Sequence, residues 1–324
     1  MDAFAAKTDV ITLRNGDRIT GEVKQLDRGH LRLSTDDAGT IYIEWDKIAS
    51  IKTTLPYEVV TSNGSRYVGV LATDVSDQLQ VIADSGTVTP LPFLDVVEFW
   101  PMRSGFLQRI DGSFDLGGTY TRSSGVAQTW IDLNAAYRRP SYHVFNEFES
   151  NITRQQDVPS IFRFTLRTGY IHFLEDNWVV SPFAFIERNP DLGLDLRTAA
   201  VLVGGRYLQH SNSSTTLVTA GFAAGRERPI EGDTRLNLDA VVTFATSLYQ
   251  HDYPRTTMDL SVMVFPELNN WGRVRSFANA TIKRELFKDF FAGLTLYNSF
   301  DNRPPAPNVA HNDIGVSLSI GWTF

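Results

Sequence analysis

Apolar and small polar residues alternate along the last stretch of the chain. From Ile314 to Phe324 every second residue is apolar, and the residues between them, Gly315 to Thr323, are only Gly, Ser or Thr. A period of two predicts a β-strand with one apolar face, because successive side chains of a strand point to opposite sides.

The same alternation recurs in twelve segments of the carboxyl-terminal two-thirds, which are separated by turn residues. The segments are 111–121, 127–138, 142–154, 161–173, 178–188, 194–208, 215–226, 235–249, 256–265, 273–287, 290–300 and 312–324. About ten tilted residues suffice to cross a bilayer, and single-chain bacterial barrels have an even number of strands. We therefore predict an all-β protein in which residues 102–324 form an antiparallel transmembrane β-barrel of about twelve strands.

The orientation follows by counting back from Phe324, whose end should face the periplasm. The connections near residues 138–141, 175–177, 209–214, 250–254 and 288–289 are then predicted to be periplasmic turns, and the others to face outside. Aromatic residues flank these turns, which is typical of a girdle at the membrane interface. They are Tyr137, Tyr142, Phe173, Trp178, Tyr207, Tyr249, Tyr253, Phe287 and Phe290.

The parity of each segment separates candidates for the lumen from candidates for the lipid side. The predicted lumen-lining residues are Asp132, Glu147, Glu149, Arg163, Arg167, Asp239, Asp259, Arg275, Lys283 and Glu285. The predicted lipid-facing residues are Ile131, Leu133, Ala135, Phe162, Phe164, Leu166, Val218, Ala220, Phe222, Met258, Leu260, Val262 and Val264. The lumen set mixes both signs of charge, so we expect pairs across the interior that leave at best a narrow pore.

The first hundred residues contain two copies of one pattern, offset by 63 − 15 = 48 positions. Asn15-Gly16 recurs as Asn63-Gly64, and Trp45 recurs as Phe93. Asn-Gly favours the tight turn of a β-hairpin, so each copy is predicted to be a small β-rich repeat similar to Sm-like barrels. The predicted divisions are a flexible N-terminus at 1–8, repeats at 9–53 and 54–101, and the barrel at 102–324.

Composition restricts which partners, metal sites and membrane segments can be expected. A net charge of −7 argues against a nucleic-acid partner, and the absence of cysteine excludes disulfides and thiolate metal sites. We predict no metal and no cofactor. No apolar run is long enough for a transmembrane helix, whereas a barrel does not show in mean hydropathy. Because an outer-membrane protein is exported, we expect Met1 to precede the remnant of a signal cleavage site, Ala3-Phe4-Ala5.

One tripeptide, His210-Ser211-Asn212, has the residue types of a lipid-modifying hydrolase, in which His activates a Ser nucleophile. Adjacent strand residues point to opposite faces, so His210 and Ser211 should diverge. The tripeptide also falls in a predicted periplasmic turn. We therefore expect that the protein is not an enzyme and keep outer-membrane lipid modification as the weakest alternative.

Two segments of the predicted barrel, 112–121 (GSFDLGGTYT) and 315–324 (GVSLSIGWTF), resemble a known family. It is the salt-induced outer membrane protein family, whose members are bacterial outer-membrane β-barrels of unknown function. The resemblance covers about residues 105–324 and implies a barrel in the outer membrane, with no catalytic residues. The simplest members are a barrel alone, so the N-terminal repeats are an addition.

Two functions agree with these patterns. In the first, the barrel anchors the periplasmic repeats, and residues 9–101 dock a periplasmic protein or peptidoglycan. In the second, the barrel is a narrow channel for ions or small solutes that the repeats gate or plug. In both, the expected partners are outer-membrane lipids and the barrel-assembly machinery, which would read Trp322 and Phe324 as a C-terminal assembly signal.

Overall fold

The computed structural model describes residues 7–74, 78–102, 105, 109–156, 158–304 and 310–322. These residues form two antiparallel sheets, one of ten strands and one of twelve, with a few short 3-10 turns between strands. The predicted all-β class is therefore confirmed. In these ranges no helix has the length and apolar character needed to cross a membrane.

The first sheet forms the N-terminal unit, and its two halves have the same order of elements. Its strands are β1 (Asp9–Leu13), β2 (Arg18–Asp27), β3 (His30–Ser34), β4 (Thr40–Glu44), β5 (Ile48–Lys52), β6 (Pro56–Thr61), β7 (Arg66–Thr73), β8 (Leu79–Ile82), β9 (Val88–Leu91) and β10 (Val96–Pro101). A 3-10 turn precedes the fifth strand of each half, at Trp45–Lys47 and Phe93–Asp95. The likeness to Sm-like barrels stays a prediction.

The two halves are joined into one unit, because strands of one half pair with strands of the other. The strand order is β4-β3-β2-β10-β6-β7-β8-β9, and β1 pairs with both β2 and β5. The join lies at Phe99 of β10, which pairs with Leu26 of β2. In the repeat, β5 corresponds to β10 and β7 corresponds to β2. Strands β5 and β7 also meet, because the Ile51 N–H donates to Thr73 Oγ1 at 2.9 Å. Each half therefore completes the sheet of the other.

A single aromatic core holds the unit together. Trp45 and Phe93, the residues that correspond across the two halves, stack with ring centroids 4.2 Å apart. Trp45 Nε1 also donates to the Phe93 carbonyl at 2.8 Å, and Phe99 packs edge-on against Trp45 and Tyr57. A buried Trp needs a partner for its N–H, and here the other half supplies it.

The second sheet contains the twelve strands predicted from the alternation. They are β11 (Ile110–Thr121), β12 (Val126–Arg139), β13 (Tyr142–Gln155), β14 (Val158–Phe173), β15 (Trp178–Asn189), β16 (Leu194–His210), β17 (Ser214–Pro229), β18 (Arg235–Gln250), β19 (Thr256–Pro266), β20 (Val274–Phe287), β21 (Phe290–Asp301) and β22 (Asn312–Trp322). Each strand pairs antiparallel with the next, and the predicted ends agree to within a few residues. Between β11 and β22 the described residues show no pairing, so barrel closure stays a prediction. Phe324 and residues 1–6 lie outside the described residues.

Candidate functional site

Residues directly opposite each other in an antiparallel pair point to the same side, so the registers assign every strand residue to one of two faces. Val201 and Val203 are 3% and 6% exposed, whereas Leu202 between them is 57% exposed. We call the side of Val201 the inner face and the side of Leu202 the outer face. The registers place all ten predicted lumen residues on the inner face and the predicted lipid-facing residues on the outer face.

Several of the predicted lumen charges form pairs of opposite sign. Glu147 accepts from Arg167 on the next strand at 2.8 Å. Asp239 and Arg275 meet at 2.7 Å although their strands are not adjacent. The other six predicted charges have the following neighbours: Arg163 pairs with Asp191, Asp132 lies opposite Glu149, Asp259 contacts Arg28, Lys283 lies over Phe291, and Glu285 accepts from Arg255.

A buried ionic network lies on the inner face at the end remote from the N-terminal unit. At its centre Glu227 is 0% exposed and accepts from Arg197 at 2.9 Å and from Arg273 at 3.1 Å. Arg273 is 1% exposed and also reaches Glu267 at 3.2 Å and Asp301 at 2.6 Å. Buried charges are stable only when they are paired in this way.

The predicted lumen residues do not include the members of this network. Strand β17 continues to Pro229, beyond the predicted end at residue 226, and this extension turns Glu227 onto the inner face. Arg273 begins the predicted segment 273–287 at the parity of Arg275, whereas β20 begins at Val274. The odd positions of Glu227 and Arg273 were therefore the signals that could have found the network.

The N-terminal unit sits on the end of the twelve-stranded sheet where the predicted periplasmic turns lie. We call the turns at 138–141, 174–178, 210–214 and 250–256 the docking turns. Their contacts with the unit are Arg138 over the Trp100 ring at 3.8 Å, Arg66 over the Phe173 ring at 3.9 Å, Asn177 Nδ2 to the Ser62 carbonyl at 2.8 Å, Asn212 Nδ2 to the Val96 carbonyl at 2.9 Å, and His210 Nε2 to Glu98 Oε1 at 3.1 Å.

Two glycines of the N-terminal unit touch the docking turns through their backbones. A Cβ on Gly29 would lie 2.4 Å from the Asn212 carbonyl oxygen, and a Cβ on Gly64 would lie 2.5 Å from the Asn177 nitrogen. Both glycines have positive φ, at 71° and 87°. The close approach of the two backbones therefore depends on the absence of a side chain.

The tip of the β2–β3 hairpin reaches the inner face of the sheet. Arg28 has φ of 48° and directs Nη1 to Asp259 Oδ1 at 3.2 Å, while its guanidinium lies 5.8 Å from the centroid of the Tyr249 ring. Ser247 Oγ donates to the same Asp259 oxygen at 2.6 Å. One residue of the N-terminal unit thus contacts two inner-face side chains, Asp259 and Tyr249.

Two histidines brace this hairpin. The rings of His30 and His251 lie 3.6 Å apart, and His251 Nε2 is 2.7 Å from the Arg28 carbonyl. Burial, followed by the neighbouring His251, lowers the pKa of His30 to about 4. Burial, followed by Glu98, raises the pKa of Asp27 at the base of the tip. The neutral His30 ring is therefore the form that fits the docked unit.

Cavities flank the docked hairpin. One of 650 Å³ lies between Trp45, Leu94 and Tyr249, and another of 610 Å³ lies between Tyr42 and Lys283. A third, of 340 Å³, lies along the inner face beside Ser247 and Asp259. The hairpin thus lies at one end of the inner face and leaves open space beside it.

The tripeptide His210-Ser211-Asn212 is used for docking. His210 and Asn212 hold the N-terminal unit, and Ser211 Oγ donates to the Ser214 carbonyl at 3.1 Å. Within the described ranges, no group of three or more His, Asp or Glu residues could hold a metal ion.

These features define an all-β protein with a ten-stranded N-terminal unit docked on one end of a twelve-stranded antiparallel sheet that has one charged and one apolar face. No family model and no curated protein matches the sequence. Among solved structures, the NanC porin in a rhombohedral crystal form is similar with a TM-score of 0.40 and 11% identity, over 65% of this chain and 100% of that chain.

Proposed function

We propose that the protein is a bacterial outer-membrane β-barrel, a narrow channel whose periplasmic mouth is plugged by its own N-terminal unit. The observation that supports a plug is the β2–β3 hairpin, because Arg28 reaches Asp259 on the inner face. A module that served only as a tethered domain would not need a side chain inside the mouth. The proposal keeps the kinship with the salt-induced outer membrane proteins and gives the chain no catalytic role.

The outer face supports a lipid environment. Leu202 and Leu318 are 57% and 79% exposed, and Phe222 and Ile320 are exposed in the same way. Apolar surface that continues over many strands marks a site of contact with another apolar phase. A bilayer would bury this face and leave the charged inner face in water.

The strand edges support closure. In the described residues β11 and β22 each pair on one side only. Unpaired backbone groups in hydrocarbon cost several kcal/mol each, so only closed sheets span membranes. The first and twelfth strands of an antiparallel series run in opposite directions and can complete the same ladder. We propose that β11 pairs with β22.

Closure is testable because the native chain has no cysteine. Ser113 of β11 and Ser319 of β22 both lie on the inner face by register. Cysteine pairs that combine Ser113→Cys with Ser319→Cys or Ser317→Cys should form a disulfide in the membrane. The matched control combines Ser113→Cys with Ser247→Cys on β18. Cross-linking of neither β22 pair would contradict closure.

The plug is tested by conductance of the full chain in planar bilayers. The His30→Cys/His251→Cys pair replaces two stacked rings, so a short bifunctional thiol reagent that is reducible should lock the unit on the mouth. We expect conductance to fall on cross-linking and to return on reduction, and the single variant His30→Cys to show neither change. Conductance that ignores the cross-link would contradict the plug.

The second candidate is an anchor that holds the N-terminal unit for a periplasmic protein or peptidoglycan. The observation that favours it is the buried network around Glu227 and Arg273, because its side chains pack together at the other end of the inner face, where a channel would need an opening. Comparison of the whole chain with a chain lacking residues 1–101 separates the two candidates. A channel should conduct more without the unit, whereas an anchor should be silent in both forms.

A further inference from the structure

The 340 Å³ cavity on the inner face has a lining suited to a small polar solute. Hydroxyl and amide side chains lie among the residues that line it, together with Leu217, Ala245 and Leu260; the polar ones include Thr215, Ser247, Ser261, Asn279 and Thr281. Asp259 is the only charged residue among the residues that line it. The cavity therefore combines apolar wall and hydrogen-bonding groups with a single negative charge at one side.

The Arg28 guanidinium shows which kind of group the Asp259 carboxylate binds. Arg28 contacts Asp259 at 3.2 Å and faces the Tyr249 ring at 5.8 Å, and Ser247 orients the carboxylate by donating to it at 2.6 Å. A carboxylate beside an aromatic ring is the set of groups that recognises guanidinium and ammonium ions. Arg28 thus behaves as a ligand that the fold itself supplies.

We propose that Asp259, Ser247 and Tyr249 form a binding site for a small organic cation with a guanidinium or primary ammonium group, and that Arg28 occupies this site as an internal competitor. The site would sit at the mouth of the channel, and that placement rests on the proposed function. Binding itself depends only on the docked fold.

The charge arrangement favours a cation over an anion. In the described residues Asp259 has two polar partners, Arg28 and Ser247. Removal of the Arg28 side chain leaves a carboxylate with a hydroxyl and an aromatic ring beside the cavity, so a cation restores the lost pair. An anion would meet the carboxylate without a compensating positive charge in the lining.

Removal of the guanidinium should leave the hairpin in place, since other contacts hold it. The His251 ring binds the Arg28 carbonyl, His30 stacks on His251, and the Gly29 backbone packs on Asn212. None of these contacts uses the Arg28 side chain. Arg28→Ala therefore opens the site without undocking the unit.

The experiment measures binding of N-acetyl-L-arginine amide, whose one positive charge is the guanidinium, to the full chain in detergent micelles by isothermal titration calorimetry. Exposed ion pairs are weak competitors, so Arg28→Ala should bind the probe at least about threefold more tightly than the wild type. Arg28→Ala/Asp259→Asn should lose this binding. N-acetyl-L-citrulline amide, of the same shape but neutral, should not bind, and Arg122→Ala on a remote loop should behave as the wild type does.

Equal affinity of wild type and Arg28→Ala, or binding that survives Asp259→Asn, would overturn the site. Slower migration after boiling in a denaturing gel and a β-type circular dichroism spectrum establish that each variant is folded. If Asp259→Asn fails to fold, Asp259→Ser in the same background takes its place. Because this assay needs no bilayer, a channel that fails to conduct and a site that fails to bind give separate results.

Discussion

The most direct test of how the N-terminal unit docks is a pair of matched glycine substitutions, Gly64→Ala and Gly16→Ala. Both glycines follow an Asn in a hairpin turn, and their φ angles are 87° and 93°. Alanine at positive φ costs roughly 1–2 kcal/mol at either site. A Cβ on Gly16 would meet nothing within 4 Å, whereas a Cβ on Gly64 would meet Asn177 at 2.5 Å. Only Gly64→Ala should therefore weaken docking.

The magnitude follows from the contacts that Asn177 would lose on moving away. Its Nδ2 donates to the Ser62 carbonyl at 2.8 Å, and such a bond contributes about 0.5–1.5 kcal/mol. The nearby stack of Arg66 on Phe173 is at 3.9 Å, and cation–π contacts contribute about 0.5–2 kcal/mol. We therefore expect Gly64→Ala to weaken docking by about 1–3 kcal/mol beyond the strain that both variants share.

Hydrogen exchange at one amide reports the effect. The Ser141 N–H donates to Glu58 Oε1 across the interface at 3.3 Å, so its exchange requires undocking. At about 1.4 kcal/mol for each factor of ten, exchange of this amide should be roughly 5- to 150-fold faster in Gly64→Ala. In Gly16→Ala it should match the wild type. Equal exchange in the two variants would refute the docking geometry.

Three further predictions concern pH, the ionic network and the two faces. Burial and the neighbouring His251 lower the pKa of His30 in the docked unit from 6.5 to about 4, so docking should be strongest above pH 6.5 and should weaken as the pH falls towards 4. Exchange of interface amides should accelerate across this range, and less so in His251→Gln. Arg273→Ala leaves buried carboxylates unpaired and should lower the free energy of unfolding in urea by about 3–5 kcal/mol; a loss under 1 kcal/mol would contradict a fully buried network. Leu318→Arg, on the outer face, should cost about 2–4 kcal/mol more than Ser317→Arg in vesicle refolding titrations, and equal costs would place lipid elsewhere.

The strands of the large sheet could be predicted from the sequence because their signal is local. Alternation of apolar and polar residues depends only on the two sides of one strand, as in 312–322, where the structure has β22. Once the strands are placed, parity predicts which side each residue takes. Asp239 and Arg275 therefore share a face, as their parity predicted, and they meet at 2.7 Å.

The ionic network and the docking surface are not local, and the sequence did not indicate them. Glu227 and Arg273 are 46 residues apart and meet only because β17, β18, β19 and β20 curve around a shared inner face. His210-Ser211-Asn212 has the residue types of a hydrolase, yet its His210 and Asn212 side chains hold the N-terminal unit. Their partners, Glu98 and Val96, lie more than a hundred residues earlier in the chain.

The two Asn-Gly turns show which features the sequence determines and which ones need the tertiary structure. The sequence by itself determined that residues 15–16 and 63–64 form the same tight turn, because glycine adopts positive φ without steric cost and Asn-Gly favours hairpin turns. Only the tertiary structure decided that the second turn touches Asn177 and that the first touches nothing. The reason is that β10 pairs with β2, which joins two alike halves into one body with a single side turned towards the docking turns.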